Sequence, residues 1–278
     1  MANPITFDEK IEKLISLAGN QHKYQYFALV IFTFVWMNCN FMPVILPYIE
    51  RAPLVNYIDE KGIRYVNKSL TNEICQKYKN KYEIVKIFKY SWVSEYKIEC
   101  NKFDIGKIGS FTFFGSAMGG LVFTFITKYL TYKQLLIISF FGLNIIIFIC
   151  TMINSYDYFY FLLICVSMAG CFGELLCYSS LVLAEEIVSS EKRSFFSSII
   201  NTGYALCGMV FSFIFLYVEL WRYVFYILIF SNTINICIIY VFIYDSPRGY
   251  IDKKDIENTL EILKGIASFN GKKKNLRV

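Results

Sequence analysis

An all-α membrane protein with six transmembrane helices is the fold class this chain predicts, and two observations carry the prediction. Six apolar segments of membrane-spanning length run through the sequence, each near the roughly 20 residues a helix needs to cross a hydrocarbon core of about 30 Å. The composition agrees: 56% hydrophobic and 19% aromatic, with a mean hydropathy of +0.44, is more apolar surface than a soluble domain of this length can cover.

The N-terminal 25 residues are polar and precede a first helix predicted over Tyr26–Ile49. That segment carries Pro43 and Pro47 toward its end rather than a small-residue cleavage site, so it reads as a retained helix and not a signal peptide. Residues 50–104 form one long polar loop. Helices two to six follow within residues 105–244, at Ile105–Thr127, Leu135–Ile153, Tyr158–Leu183, Phe195–Val218 and Tyr223–Tyr244. Tyr158, Tyr160, Trp221, Tyr223 and Tyr244 stand at helix ends, where aromatic rings anchor at the membrane interface. In the tail, residues 245–278, the segment Ile256–Phe269 places Ile256, Leu260, Leu263 and Ala267 at helical spacing with charges elsewhere. It predicts an amphipathic helix lying against the cytoplasmic ends of the bundle, with Lys272–Lys274 near anionic lipid. A disordered basic tail is the competing reading for the last residues.

Orientation follows from the short hops. Lys128 and Lys133 lie between helices two and three, and Lys192 and Arg193 between four and five. Asn154–Asp157 carries no basic residue, and Glu219–Arg222 only Arg222. Basic residues stay cytoplasmic, so both termini are expected there. The tail agrees through Arg248, Lys253, Lys254, Lys264, Lys272, Lys273, Lys274 and Arg277. Residues 50–104, expected outside, hold eleven Lys and Arg against eight Asp and Glu; long loops obey the charge rule poorly, so the short hops decide. An exterior address is favoured by the glycosylation sequon Asn67-Lys68-Ser69. Cys75 and Cys100 are the two of nine cysteines outside the spans. They are either unrelated free thiols or, as an oxidising exterior favours, a disulfide. Cys39, Cys150, Cys165, Cys171, Cys177, Cys207 and Cys237 lie in spans, where small hydrophobic packing is the default.

Several six-helix chemistries are excluded. The one histidine, His22, precedes the first helix, which removes a Ser–His intramembrane protease and leaves metal catalysis unsupported. No span is studded with arginine as a voltage sensor requires. No Gly-rich phosphate loop is present to power a pump. No catalytic residue, metal, cofactor or nucleic-acid partner is expected.

Three runs together resemble the organic cation/anion transporter family of the major facilitator superfamily. Ser91-Trp92-Val93-Ser94-Glu95-Tyr96-Lys97-Ile98-Glu99-Cys100-Asn101 is similar to the run ahead of that family's second helix. Ala184-Glu185-Glu186-Ile187-Val188 with Arg193 matches its glutamate and arginine between helices four and five. Asp245-Ser246-Pro247-Arg248 resembles its "E-S-P-R" at the end of helix six, and Ile262–Ala267 with Asn270-Gly271 resembles the helix that follows. Leu220-Trp221-Arg222-Tyr223 and the long first loop fit the same family. The resemblance implies a secondary carrier of small organic ions by alternating access. It also implies twelve helices in two halves, so this chain reads as an N-terminal half: a truncated gene model, a fragment, or a protein that pairs with a missing C-terminal half or a second copy. A plasma-membrane address is expected. The alternatives are a non-transporting, receptor-like or degenerate paralogue and a sugar transporter of the same superfamily, the latter disfavoured by the glycosylatable loop.

One departure stands out. Where the superfamily's loop between helices two and three usually carries "G-x-x-x-D-R-x-G-R-R", this chain reads Thr124-Phe125-Ile126-Thr127-Lys128-Tyr129-Leu130-Thr131-Tyr132-Lys133. Lys128 replaces the acid, so the usual cytoplasmic charge latch does not form. Glu185, Glu186, Lys192 and Arg193 remain candidates for a charge network with Lys128, Asp245 and Arg248; solvated loop charges of little individual worth are the plain alternative.

Within the spans, Gly115, Gly119 and Gly120 in helix two, and Ser198, Thr202, Ala205 and Gly208 in helix five, offer small faces for close helix packing. Glu174 is the sharpest candidate for chemistry. An ionisable group in mid-helix costs roughly 2.5–3.5 kcal/mol to insert, so it is expected to face a cavity or a partner, either to bind a cation or carry a proton or to serve structurally, hydrogen-bonded to a neighbouring helix. Asn38 and Asn40 in helix one and Asn201 and Tyr204 in helix five are polar enough to line the same cavity, or to serve as interhelical glue.

Overall fold

Helices satisfy every backbone polar group internally, which the hydrocarbon layer demands, and the six predicted spans are all helical. The structure is a computed structural model that describes residues 22–58, 62–77, 82–86, 91–218, 220–252 and 255–271. The N-terminus before His22 and the basic residues Lys253, Lys254, Lys272, Lys273, Lys274 and Arg277 lie outside the described residues.

The spans are Lys23–Ile49, Lys102–Ile126, Tyr132–Met152, Tyr156–Glu186, Ser190–Tyr217 and Trp221–Phe242. Several run past the apolar segments read from the sequence, because the backbone ladder continues through polar residues such as Glu185, Glu186, Glu191 and Lys192. The first span is two helices, α1 (Lys23–Cys39) and α2 (Phe41–Ile49), broken at Asn40. Asn40 donates its side-chain amide to the Trp36 carbonyl at 2.8 Å, a local bond that competes with the helical ladder. Pro43 falls in the first turn of α2, where a missing N–H costs little.

The connection after α2 is more ordered than the loop expected from sequence. It holds strands β1 (Leu54–Ile58), β2 (Arg64–Ser69) and β3 (Tyr82–Lys86), with short helices α3 (Asn72–Lys77) and α4 (Trp92–Glu95). The strands form an antiparallel sheet in the order β2-β1-β3, over a small core of Val55, Leu70 and Ile74. Cys75 and Cys100 are joined by a disulfide.

The remaining spans are α5 (Lys102–Ile126), α6 (Tyr132–Met152), α7 (Phe159–Glu186, preceded by a 3₁₀ turn, Tyr156–Tyr158), α8 (Ser190–Tyr217) and α9 (Trp221–Phe242). Asn101 caps α5 by accepting from the Phe103 and Asp104 amides, and Thr131 with Gln134 makes a capping box on α6, each satisfying first-turn donors. The fourth span packs on the second, third and first, while the first packs on the fifth, sixth and fourth, and the third meets the sixth. Exchanging spans one, two and three with four, five and six maps this neighbour pattern onto itself.

Glycine sets two of these contacts. A Cβ at Gly119 of α5 would stand 2.6 Å from the Cys171 carbonyl of α7, and one at Gly203 of α8 would stand 2.5 Å from the Thr33 carbonyl of α1. The small face read in the second span is thus a packing face. That read in the fifth is not: Gly208 meets nothing within 4 Å, and α8 instead buries Phe196, Ile200, Gly203, Cys207 and Phe211.

After α9, α10 (Pro247–Asp252) leads to α11 (Ile256–Phe269). The amphipathic helix is present, rotated from the expected face: Thr259, Leu263, Ile266 and Ala267 are buried, whereas Ile256 is exposed. Asn270 accepts from the Tyr24 amide at 2.9 Å and donates to Gln25 Oε1 at 3.2 Å. The linker helix therefore caps the start of α1, and Phe269 packs edge-on against the Tyr24 ring, 5.5 Å between centroids.

Candidate functional site

Glu174 lies half-buried in the seam between α5 and α7, and its Cβ would be 2.9 Å from a Cβ on Gly119. One turn along α7, the Tyr178 phenol stands beside the Glu174 carboxylate, near enough for the two to interact electrostatically. Tyr178 itself packs against Phe123 of α5 at 5.4 Å between ring centroids, and a Cβ on Gly120 would touch its ring at 3.4 Å. A mid-span carboxylate thus has a phenol beside it, an aromatic wall and a neighbouring backbone approached through glycine. Tyr178 was not singled out from the sequence, although its place four residues after Glu174 is the spacing at which helical side chains meet.

The other expected cavity residues do not converge on Glu174. Asn38 is buried between α1 and α9, where its amide donates to Ser231 Oγ at 3.0 Å; it is interhelical glue. A second polar contact of this kind joins α6 and α9, with Asn232 donating to Asn144 Oδ1 at 2.9 Å. Asn40 is spent on the break in the first span. Asn201 and Tyr204 lie exposed on α8, a helix that packs chiefly on α1.

At the cytoplasm-assigned end, the Ser246 hydroxyl donates to Glu186 and the Ser246 amide to Asp245 Oδ1 at 2.8 Å. Asp245 also accepts from the Lys133 amide at 3.4 Å, while Lys133 Nζ donates to the Tyr240 carbonyl at 3.0 Å. Lys128 sets its ammonium over the Phe125 ring, 5.8 Å from the centroid. Glu186, Arg193 and Arg248 each have a further interacting neighbour, and Glu185 is half-exposed at the same helix end. Lys128, Asp245 and Tyr250 line one cleft of about 190 Å³. Asp245 is thus a hub tying the start of the third span to the end of the sixth.

At the opposite end, Glu95 of α4 accepts from the Trp221 indole and from Arg222 Nη2, the latter at 2.5 Å. Arg222 also donates to the Thr151 and Ile153 carbonyls at 3.1 and 3.2 Å and to Asn154 Oδ1 at 2.6 Å. Beneath this knot the Trp92 and Trp221 rings meet edge-on at 5.3 Å.

This six-span bundle with its trailing linker helix coincides with a family match: residues 26–274 fit the model of the Major Facilitator Superfamily. The chain belongs to the Major Facilitator Superfamily. No curated protein matches it. As a Major Facilitator chain it is a multi-pass membrane transporter that sits in a lipid bilayer and carries a small substrate, and members of the superfamily are transporters rather than enzymes. Its second-to-third span loop places Lys128, not an acid, beside the Asp245 hub.

Proposed function

We propose that these six spans are one six-helix unit of a secondary carrier that moves small organic ions by alternating access, with the pathway running between this unit and a second one. Glu174 carries the reading: a carboxylate in mid-span beside Tyr178 is costly to keep in hydrocarbon and is suited to take a cationic substrate or a proton. The organic cation/anion subfamily is supported by the meeting of Glu95 with Trp221 and Arg222, residues of two runs that carry the resemblance. In this reading residues 50–104 face outward at the plasma membrane with Asn67 glycosylated, and both termini are cytoplasmic. Asn67 is exposed on β2, open to an attached glycan.

The test is uptake by cells expressing the full-length protein, using a permanently charged quaternary ammonium ion and a small organic carboxylate. Saturable uptake of the ammonium ion that is lost in Glu174→Gln supports the reading. Uptake no greater than in untransfected cells for both ions, with the protein at the surface, overturns it in favour of the receptor-like alternative that Lys128 favours.

A further inference from the structure

We propose that Cys39 and Cys177 form a redox pair whose oxidation locks the break in the first span against α7. Cys39 is the last residue of α1, next to the Asn40 break, and Cys177 lies on α7; the structure pairs them across 138 residues of sequence, with Cα atoms 6.1 Å apart. That separation falls in the range of about 4.4–6.8 Å that a disulfide spans without backbone movement. The approach depends on Gly173, one turn before Cys177, where a Cβ would stand 2.9 Å from the Cys39 carbonyl. Asn40 points its amide at both sulfurs, 3.4 Å from Cys39 and 3.6 Å from Cys177. Both cysteines are 6% exposed, which restricts access to a small neutral oxidant.

Hydrogen peroxide meets that requirement. One thiolate attacks a peroxide oxygen, the O–O bond breaks and hydroxide leaves to take a proton as water, giving a sulfenic acid. The second thiol displaces the sulfenic hydroxyl as a second water and closes the S–S bond. Two thiols are oxidised by two electrons and one peroxide is reduced to two waters. Reduced, α1 and α2 tilt about Asn40; oxidised, the end of α1 is held on α7.

The experiment uses the full-length protein in lipid nanodiscs, treated with peroxide or with a reductant. Free thiols are blocked in denaturant, the protein is digested without reduction and the peptides are identified by mass spectrometry, while deuterium uptake is followed over residues 38–46. The expected result is a peptide pair joined through Cys39 and Cys177 after peroxide and absent after reductant, with uptake over 38–46 several-fold slower in the oxidised state. In C177S the same treatments leave uptake over 38–46 unchanged, which separates the effect from opening of the Cys75–Cys100 bridge. Both cysteines alkylated after peroxide overturn the proposal, as does a joined pair with equal deuterium uptake in the two states. Should C177S fail to fold, these two wild-type outcomes still decide.

Discussion

Glu95 and Arg222 stand 127 residues apart in the chain and meet at 2.5 Å. The contact joins the short helix at the end of the sheet-bearing connection to the start of the sixth span. Arg222 also satisfies two carbonyls at the end of the third span, Thr151 and Ile153, so one planar fork closes the bundle at this end. Both partners are about one-quarter exposed, which places the pair between surface bridges of little worth and buried ones whose breaking costs about 3–5 kcal/mol. Arg222→Ala is expected to cost about 1–3 kcal/mol, much of it from carbonyls left without a donor. Arg222→Lys recovers little, because an ammonium lacks the fork. Thermal unfolding of the three proteins in one lipid environment checks this; equal midpoints for Arg222→Lys and wild type would refute the geometric argument.

Gly119 and Gly208 both lie in small-residue runs, yet they are expected to respond in opposite directions. Gly119→Leu drives a side chain into the Cys171 carbonyl and Glu174, and overpacking of this kind costs about 1–3 kcal/mol. Gly208→Ala meets open space and removes a glycine from a helix interior, a gain of up to about 1 kcal/mol. Unfolding midpoints of the pair decide, and a destabilised Gly208→Ala would show that the exposed face of α8 is packed after all.

The six spans were legible because length and hydropathy alone define a bilayer-crossing helix. Rotation of each span was not. A helix apolar on all sides carries no stripe to say which face packs, so Gly203 and Gly208, five residues apart, could not be told apart, and Asn38 was grouped with Glu174 although it faces α9. The sheet β2-β1-β3 escaped notice because its strands are five or six residues long and sit among Lys and Asn, so the alternation that marks a half-buried strand is lost. The Cys39–Cys177 pairing needed the knowledge that the first and fourth spans are neighbours. Glu95 and Arg222 belong to separate runs of the sequence, and nothing in either run says that they touch.

Asn38 and Glu174 separate glue from chemistry. Asn38→Ala removes one interhelical hydrogen bond, worth about 0.6 kcal/mol in membranes, and is expected to lower the unfolding midpoint slightly while the affinity for a transported ion stays unchanged. Tyr178→Phe removes the polar group beside the Glu174 carboxylate and is expected to change the affinity or pH dependence of uptake with little loss of fold. A shifted ion affinity in Asn38→Ala would return that residue to the pathway.

Glu50, just beyond the first span, is a carboxyl whose burial raises its pKa above the ordinary value, with the Gly109 backbone pulling weakly the other way. The folded state therefore favours the neutral acid. Its contribution is fully present below the unfolded pKa of about 4.3 and is lost as pH rises through the higher folded value. Above the folded value the buried carboxylate opposes folding, and Glu50→Gln, which stays neutral, is expected to unfold at a higher temperature than wild type there. The difference shrinks in buffer near pH 4, where wild type is protonated as well. A difference that grows on acidification would reverse the sign and imply a cationic partner for the carboxylate.

The linker helix α11 is fixed to the bundle by a close fit as much as by hydrogen bonds. A Cβ on Gly265 would stand 2.6 Å from the Tyr244 ring, and that ring cannot retreat freely. The Tyr24 ring packs against it at 5.6 Å, and the Tyr24 hydroxyl accepts the Tyr244 amide at 2.9 Å. Gly265→Leu is expected to lift α11 from the bundle, exposing Leu263 and Ile266 and uncovering the Tyr24 amide that Asn270 caps. Asn270→Ala removes the cap and the bond to Gln25, a loss of about 1 kcal/mol on the scale of helix N-caps, and leaves the aromatic contacts of Phe269. Limited proteolysis of the full chain in membranes distinguishes the two: cleavage within 245–271 should accelerate strongly in Gly265→Leu and modestly in Asn270→Ala. Equal, wild-type cleavage in both would mean that α11 is held by something other than the contacts at Tyr24 and Tyr244.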